Sequence, residues 1–221
     1  MNTFIAQFFF QRHNIMSQIK YVCLSLQKPA RMKLYQLNKK TLPQLELVKS
    51  VNGYNVLETL WEFKQTGLKY IGVDDLFQNY GTVACFLTKY KCLVSQIEES
   101  CQYLCFIEDD MLLSPNFESF VQKQVSLLQR DTGINMIRLG PWGEGYITSL
   151  ASAKRLVAII KQSGVIASID TQLRKHCGKE VHTLNTPWRR TKLNDDGDIK
   201  KTKFFGRSLH KLKFKNLIYG R

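Results

Sequence analysis

Residues 103–110 read YLCFIEDD, five apolar residues followed at once by three carboxylates. A short apolar run of this kind between helical segments is typical of a parallel strand that is covered on both faces. The three adjacent carboxylates repel one another unless solvent or a cation relieves the repulsion. At the carboxyl end of a parallel strand they would lie where open α/β sheets bind their ligands. The stretch therefore predicts a central strand with a charged site at its end.

Strand-like and helix-like segments alternate on both sides of this stretch. Apolar residues at 83, 86, 87, 90, 93, 94 and 97 recur at helical spacing, which indicates a helix packed on the core. The predicted strands are 19–26, 45–50, 103–107, 134–139 and 146–149, and the predicted helices are 31–38, 57–65, 82–99, 114–130 and 150–162. This alternation predicts an α/β fold with a mostly parallel central sheet.

The chain is long enough for one well-packed domain, with 221 residues of which 44% are hydrophobic. No apolar run reaches the roughly 20 residues of a membrane-spanning helix. The first residues also lack the basic start and the cleavage site of a signal peptide. We therefore expect a cytoplasmic protein with an N-terminal lead at 1–17, one domain at 18–187 and a basic C-terminal extension at 188–221.

The positive charge of the chain is concentrated in its last third. Residues 1–150 carry 15 Lys and Arg against 13 Asp and Glu, whereas residues 151–221 carry 17 against 5. A basic segment attracts the phosphates of nucleotides, nucleic acid or anionic lipid, although a solvated surface explains the composition nearly as well. The extension would suit peripheral contact with an anionic membrane.

The cysteines give no sign of a metal site or of disulfides. The six cysteines include no Cys-x-x-Cys pair, and with the four histidines they make no cluster of zinc-ligand spacing. Small buried side chains in a reducing cytosol are the expected role.

The carboxylates of residues 108–110 allow two interpretations. Oxygen ligands suit Mg²⁺ or Mn²⁺, which use one or two protein carboxylates and take further ligands from substrate phosphates. Such a cation would hold a diphosphate and neutralise its charge as it leaves. The alternative is an acidic turn at the start of the next helix, where Asp and Glu are common.

Six short elements, in one order along residues 19–173, carry a resemblance to a known family. They are SLQKPAR at 25–31, SVNG at 50–53, GTVACFLTK at 81–89, EDD at 108–110, GYITSLASA at 145–153 and SIDTQL at 168–173. Together they resemble glycosyltransferase family 25, the lipooligosaccharide and collagen galactosyltransferase type. The chain departs from that pattern at Asn52, where the family has Asp, and at Lys89, where it has His. The resemblance implies a GT-A-type nucleotide-sugar-binding fold, a divalent cation and a UDP-sugar donor.

The resemblance also suggests a role for individual residues in the donor site. Asp110 is the first candidate for the metal ligand, with Glu108, and Asp109 would contact metal-bound water or the donor's ribose. The further donor-binding candidates are Leu24, Ser25 and Leu26 beside the nucleobase, Arg31 at a phosphate, and Asn52 and Gly53 in the pocket wall. A solvated helix arginine and an ordinary turn remain alternatives for Arg31 and for Asn52-Gly53.

An inverting transfer needs a base that takes the proton of the acceptor hydroxyl. Asp170 is the first candidate by its match to the family element, against a helix-capping role. Glu144, in a glycine-rich loop, is the second. Trp142 and Trp188 could stack on a sugar face, although packing is the more common role of tryptophan.

These features predict a metal-dependent hexosyltransferase that uses Mn²⁺ or Mg²⁺. It would move galactose or glucose from a UDP-sugar to a hydroxyl of a glycan or glycoprotein, with inversion. The rival from another class is a nucleic-acid-binding protein or metal-dependent nuclease that uses the basic C-terminal third. No recognised nucleic-acid-binding motif occurs, so a nucleic-acid partner is not expected. A third interpretation is a catalytically silent relative whose basic end binds a membrane or a partner.

Overall fold

The computed structural model describes residues 18–71, 80–140, 143–176, 179–183 and 187–191. The elements in chain order are β1 (Ile19–Ser25), α1 (Pro29–Thr41), β2 (Glu46–Lys49), α2 (Val56–Gln65), α3 (Tyr80–Glu98), β3 (Tyr103–Glu108), β4 (Met111–Leu113), α4 (Phe117–Arg130), β5 (Ile134–Leu139), β6 (Gly145–Ser149), α5 (Leu150–Ser163), α6 (Ile169–His176), β7 (Lys179–Thr183) and β8 (Trp188–Arg190).

Among the described residues, six strands form the central sheet in the order β2-β1-β3-β6-β5-β7. All of its pairings are parallel except those of β6, which runs antiparallel to both β3 and β5. β6 follows β5 after a short connection, and short connections favour antiparallel neighbours. The predicted α/β class with a mostly parallel central sheet is confirmed.

The core lies in two layers, one on each face of the sheet. α2, α3, α5 and α6 cover one face, where Phe86 and Phe106 are at most 1% exposed. α1 and α4 cover the other, where Val121 and Ile137 are fully buried. Each large apolar side chain removed from water in this way stabilises the fold by roughly 1.5–3 kcal/mol. The five predicted strands and five predicted helices build most of the sheet and of these layers, and β7 and α6 complete them.

The structure contains three strands and one helix that the periodicity did not predict. β4 and β8 have three residues each and pair antiparallel, with Met111 opposite Arg190. β7 and α6 are polar and short, so neither shows a clear apolar repeat. The predicted helix at 114–130 begins later, at Phe117, because Ser114 and Pro115 form the turn before it.

Some predictions concern residues outside the described part of the chain. The N-terminal lead, Trp142 and residues 192–221 of the extension are among them. The boundary between the domain and the extension stays a prediction, although residues 188–190 pair with β4. Across the described residues, no helix is both long and apolar enough to cross a membrane.

The described cysteines are free thiols, three of them buried and two partly exposed. They are Cys23, Cys85, Cys92, Cys101 and Cys105. Burial raises the pKa of Cys23, Cys85 and Cys92 to about 12, so these thiols stay protonated at neutral pH.

Candidate active site

A cavity of about 370 Å³ opens at the edge of the sheet where the parallel strands end. The described residues that line it are Leu24, Leu26, Arg31, Ser50, Val51, Gly53, Tyr54, Gly81, Ala84, Cys85, Thr88, Lys89, Glu108, Asp109, Asp110 and Arg190. Because β1, β2 and β3 are parallel, the chain segments that follow them meet at one edge. This topology brings residues from distant parts of the sequence to one cavity.

Most of the predicted donor-site and metal-site residues line this cavity. They are Leu24, Leu26, Arg31, Gly53, Glu108, Asp109 and Asp110. Ser25 and Asn52 lie beside it and serve local structure. The Ser25 hydroxyl accepts a hydrogen bond from the Gln27 amide at 2.9 Å, and the Asn52 side chain accepts one from the Tyr54 amide at 3.0 Å.

Each carboxylate of residues 108–110 has a different basic side chain as its nearest partner, and Arg31 also lies 3.8 Å from Asp110 Oδ2. Lys89 Nζ is 3.1 Å from Glu108 Oε1. Arg31 Nη1 donates to Asp109 Oδ1 at 3.1 Å. Arg190 Nε donates to Asp110 Oδ2 at 2.7 Å. These pairings relieve the repulsion among three consecutive negative charges.

Lys89 is the most deeply buried of these cations, with a side chain 2% exposed. Its ammonium also donates to the Gly143 carbonyl at 2.9 Å and to Asp170 Oδ1 at 3.1 Å. Burial alone would lower the pKa of Lys89, but the nearby Cys85, Asp170 and Glu108 raise that pKa well above its usual range. The lysine therefore stays charged and joins α3 to the end of β3 and to the start of α6.

The two predicted base residues have different surroundings. Asp170 lies in the first turn of α6, and its Oδ1 also accepts a hydrogen bond from the Tyr146 hydroxyl at 2.5 Å. Its side chain is 30% exposed. Glu144 is only 3% exposed, and its backbone carbonyl accepts a hydrogen bond from the Glu108 amide at 2.8 Å. Neither residue lines the cavity itself, and Asp170 is connected to it through Lys89.

Gly143 makes room for the contacts of Asp170. Its φ is +74°, and a Cβ at this position would lie 2.6 Å from Asp170 Oδ1 and 2.7 Å from Tyr146 Oη. A side chain there would collide with both groups, so a glycine is required on geometric as well as conformational grounds.

The β4–β8 pair supplies groups that the sequence did not identify as site residues. Arg190 reaches Asp110 from β8, and the Asp110 carbonyl accepts hydrogen bonds from the amide and hydroxyl of Thr191. Trp188 packs against the apolar layer beneath α4 and lies close to Gly140. The Trp188 indole therefore packs against the core, which was the alternative to stacking on a sugar.

For Lys89, the sequence did contain a sign that the side chain has buried partners. It follows Phe86 by three residues and precedes Leu93 by four, which places a lysine on the apolar stripe of a predicted core helix. A charged group on such a stripe needs buried partners.

The side-chain oxygens of the site suit a divalent cation, and Asp110 is the carboxylate that fits it best. Asp110 is 5% exposed, and its Oδ1 is buried without a hydrogen-bond partner among the described residues. Such an atom is one that a cation would satisfy. No three His, Cys, Asp or Glu side chains within the described ranges are grouped as a metal site made by protein alone. Mg²⁺ and Mn²⁺ commonly take their remaining ligands from substrate phosphates and water.

Comparison with known proteins adds a family assignment for part of the chain. No curated protein matches it. One solved structure that the chain matches is a glycosyltransferase involved in the glycosylation of the major capsid of PBCV-1. The identity is 10%, the match covers 89% of this chain and 98% of that chain, and the TM-score is 0.45. Another is a cytidylyltransferase from Leptospira borgpetersenii, with 11% identity, 92% and 94% covered, and a TM-score of 0.39. At these scores neither similarity carries an argument about the fold or the function.

The family comparison is more specific. The model of glycosyltransferase family 25 (LPS biosynthesis protein) matches residues 78–163. This region includes α3 with Lys89, β3 with the carboxylates of residues 108–110, and β6 with Tyr146. The match identifies residues 78–163 as a glycosyltransferase family 25 region, and the chain is a glycosyltransferase.

Proposed function

We propose that this glycosyltransferase moves a hexose, galactose or glucose, from a UDP-sugar to a hydroxyl of a glycan or glycoprotein. The observation that carries the proposal is the cavity at the carboxyl edge of the sheet, where three carboxylates and three cations surround a space of about 370 Å³. Apolar residues Leu24 and Leu26 form another part of its wall, which suits a nucleobase next to a charged diphosphate. The family description, which names LPS biosynthesis, supports a glycan acceptor.

Asp110, with Glu108, would hold Mn²⁺ or Mg²⁺ in this site. When bound, the cation would supply positive charge to the diphosphate as the bond to the sugar breaks. The unpartnered Asp110 Oδ1 supports this assignment. Asp109, whose Oδ1 accepts a hydrogen bond from Arg31, would contact the donor's ribose or water on the cation.

Asp170 is the proposed base for transfer with inversion. Its carboxylate takes the proton of the acceptor hydroxyl as that oxygen bonds to the anomeric carbon and the bond from this carbon to the diphosphate breaks. Lys89 and Tyr146 both donate to Oδ1 and fix the orientation of the carboxylate. Glu144 stays the second candidate, because at 3% exposure it is less accessible to an acceptor.

The test is binding and slow hydrolysis of a panel of UDP-, GDP- and dTDP-sugars, with Mn²⁺ and with chelator. We expect metal-dependent turnover of one UDP-hexose by the wild type, and its loss in Asp110→Ala. Asp170→Asn should retain donor binding and lose transfer to the acceptor. If no donor binds and the protein instead shows salt-sensitive retention on nucleic acid, the transferase proposal is wrong and the nuclease rival gains support.

A further inference from the structure

Arg190 lies on β8, which is distant in sequence from the other charged residues of the cavity. β8 pairs with β4 so that Arg190 is opposite Met111, the residue after Asp110. This register carries the guanidinium to the cavity wall, where Nε donates to Asp110 Oδ2 at 2.7 Å. Residue 190 lies beyond the region that the family model matches.

The three cations of the cavity differ in how much of each is exposed. The side chains of Lys89 and Arg31 are 2% and 8% exposed, whereas that of Arg190 is 52% exposed. The hydrogen bond to Asp110 engages only Nε, one of five N–H donors that a guanidinium holds in a planar fork. Arg190 is therefore the cation best placed to donate to a ligand that enters the cavity.

If the ligand is a diphosphate, the cavity needs an exposed cationic donor such as Arg190. Of the described residues that line it, three are carboxylates and three are cations, so the wall has no net attraction for an anion. A diphosphate placed near Glu108, Asp109 and Asp110 is repelled unless hydrogen-bond donors or cations beside them compensate. Arginine suits phosphate oxygens because its fork can donate two parallel hydrogen bonds.

We propose that Arg190 is a binding residue for the diphosphate of the donor, acting beside Asp110 through the guanidinium N–H groups that do not contact this carboxylate. The inference rests on the proposed function for the identity of the donor, but its chemistry requires only a diphosphate. A merely structural ion pair is the alternative. Such a half-exposed pair contributes little to stability and is indifferent to nucleotides.

The experiment is calorimetric titration of UDP, inorganic pyrophosphate and uridine into wild type, Arg190→Gln and Arg190→Lys, each with Mn²⁺ and with chelator. Arg189→Gln is the matched control, because Arg189 is the exposed neighbour on the same strand and does not line the cavity. We expect Arg190→Gln to weaken UDP and pyrophosphate binding roughly tenfold to a hundredfold, the usual effect of losing charge-assisted hydrogen bonds. Uridine binding should be unchanged, Arg190→Lys should lie between, and Arg189→Gln should stay within about twofold of wild type.

The possible results separate this inference from the proposed function. Unchanged UDP binding in Arg190→Gln, or equal losses in Arg189→Gln, overturns the inference even if the enzyme turns over a UDP-sugar. Loss of pyrophosphate binding in Arg190→Gln alone supports it even if no sugar nucleotide is a substrate. If the wild type binds neither pyrophosphate nor UDP, the inference is wrong. If Arg190→Gln fails to fold, UDP binding is compared between Arg190→Lys and Arg189→Gln. Weaker binding by Arg190→Lys alone supports the inference, and equal binding overturns it.

Discussion

At the scale of single residues, the site depends on one buried lysine. Lys89 departs from the family pattern, and its place on the apolar stripe of α3 was the only sign in the sequence that it needed buried partners. In the structure its ammonium contacts Glu108, Asp170 and the Gly143 carbonyl, which come from three separate segments. A histidine is shorter and could not be expected to reach all three groups. Lys89 in place of His therefore connects these segments in a way that the family pattern would not.

Replacing Lys89 by Met should therefore affect both stability and catalysis. The change leaves two neighbouring carboxylates and one carbonyl without their shared donor, and breaking a buried ion pair typically costs on the order of 3 kcal/mol. We expect a loss of about that size in the free energy of unfolding, measured by urea denaturation, together with a large loss of turnover. Lys91→Met is the control, since Lys91 is 52% exposed and its pair with Glu62 should contribute less than about 1 kcal/mol. Equal effects of the two variants would contradict the proposed role of Lys89.

Gly143 provides a separate test at the same scale. Gly143→Ala should displace Asp170 and Tyr146, because the added Cβ would lie within 2.7 Å of an oxygen of each. Transfer to the acceptor should fall while binding of UDP changes little, and this is measured as a lower kcat at nearly constant donor KM. The control is Gly67→Ala, where φ is also positive, at +65°, but where no atom lies within 4 Å of the new Cβ. If both variants lose stability equally and neither loses kcat, the network around Asp170 does not serve the reaction.

At the scale of elements, the sequence predicted what periodicity and turn residues encode. β1, β3 and α3 have continuous apolar runs or stripes, so their existence and their approximate ends follow from local pattern. β4 and β8 could not be predicted in this way, because three residues carry no measurable period and their pairing joins residues about 80 positions apart. Arg190 depends on that pairing, which explains why the sequence did not identify it as a site residue.

The contact between the loop after β2 and the start of α3 is an element-scale feature that can be tested. A Cβ on Gly53 would lie 2.6 Å from the Gly81 Cα, so the two backbones touch where both line the cavity. Gly53→Ala must push the loop and the helix apart, and overpacking of this kind typically costs about 1–3 kcal/mol. We expect a matching loss of unfolding free energy and weaker UDP binding. Gly133→Ala is the control, since its Cβ would meet only the movable Asp131 carboxylate, at 3.0 Å.

At the scale of the whole molecule, the residues of the site come together at the carboxyl edge of the sheet. The sequence could predict that the carboxylates of residues 108–110 end a central strand, and the parallel order of β1, β2 and β3 then places the segments after β1 and β2 beside them. What it could not predict is that every one of these carboxylates is paired with a cation, since the cations come from α1, α3 and β8 and Arg31 contacts both Asp109 and Asp110. The charge balance of the cavity is thus a property of the tertiary structure.

That balance leads to a prediction for the stability of the whole fold. A ligand that binds only the folded protein stabilises it, by about 2.7 kcal/mol at a concentration of 100 times its Kd. For a chain of this size each kcal/mol raises Tm by roughly 2–4 °C, so UDP with Mn²⁺ should raise Tm by about 5–10 °C. With chelator the shift from UDP should be much smaller, because the diphosphate then faces the carboxylates without the cation. Thermal unfolding followed by circular dichroism measures both, and Asp110→Ala should remove the difference between them. An equal shift with and without metal would mean that the basic side chains alone hold the diphosphate, and that the carboxylates of residues 108–110 serve the fold and not a cation.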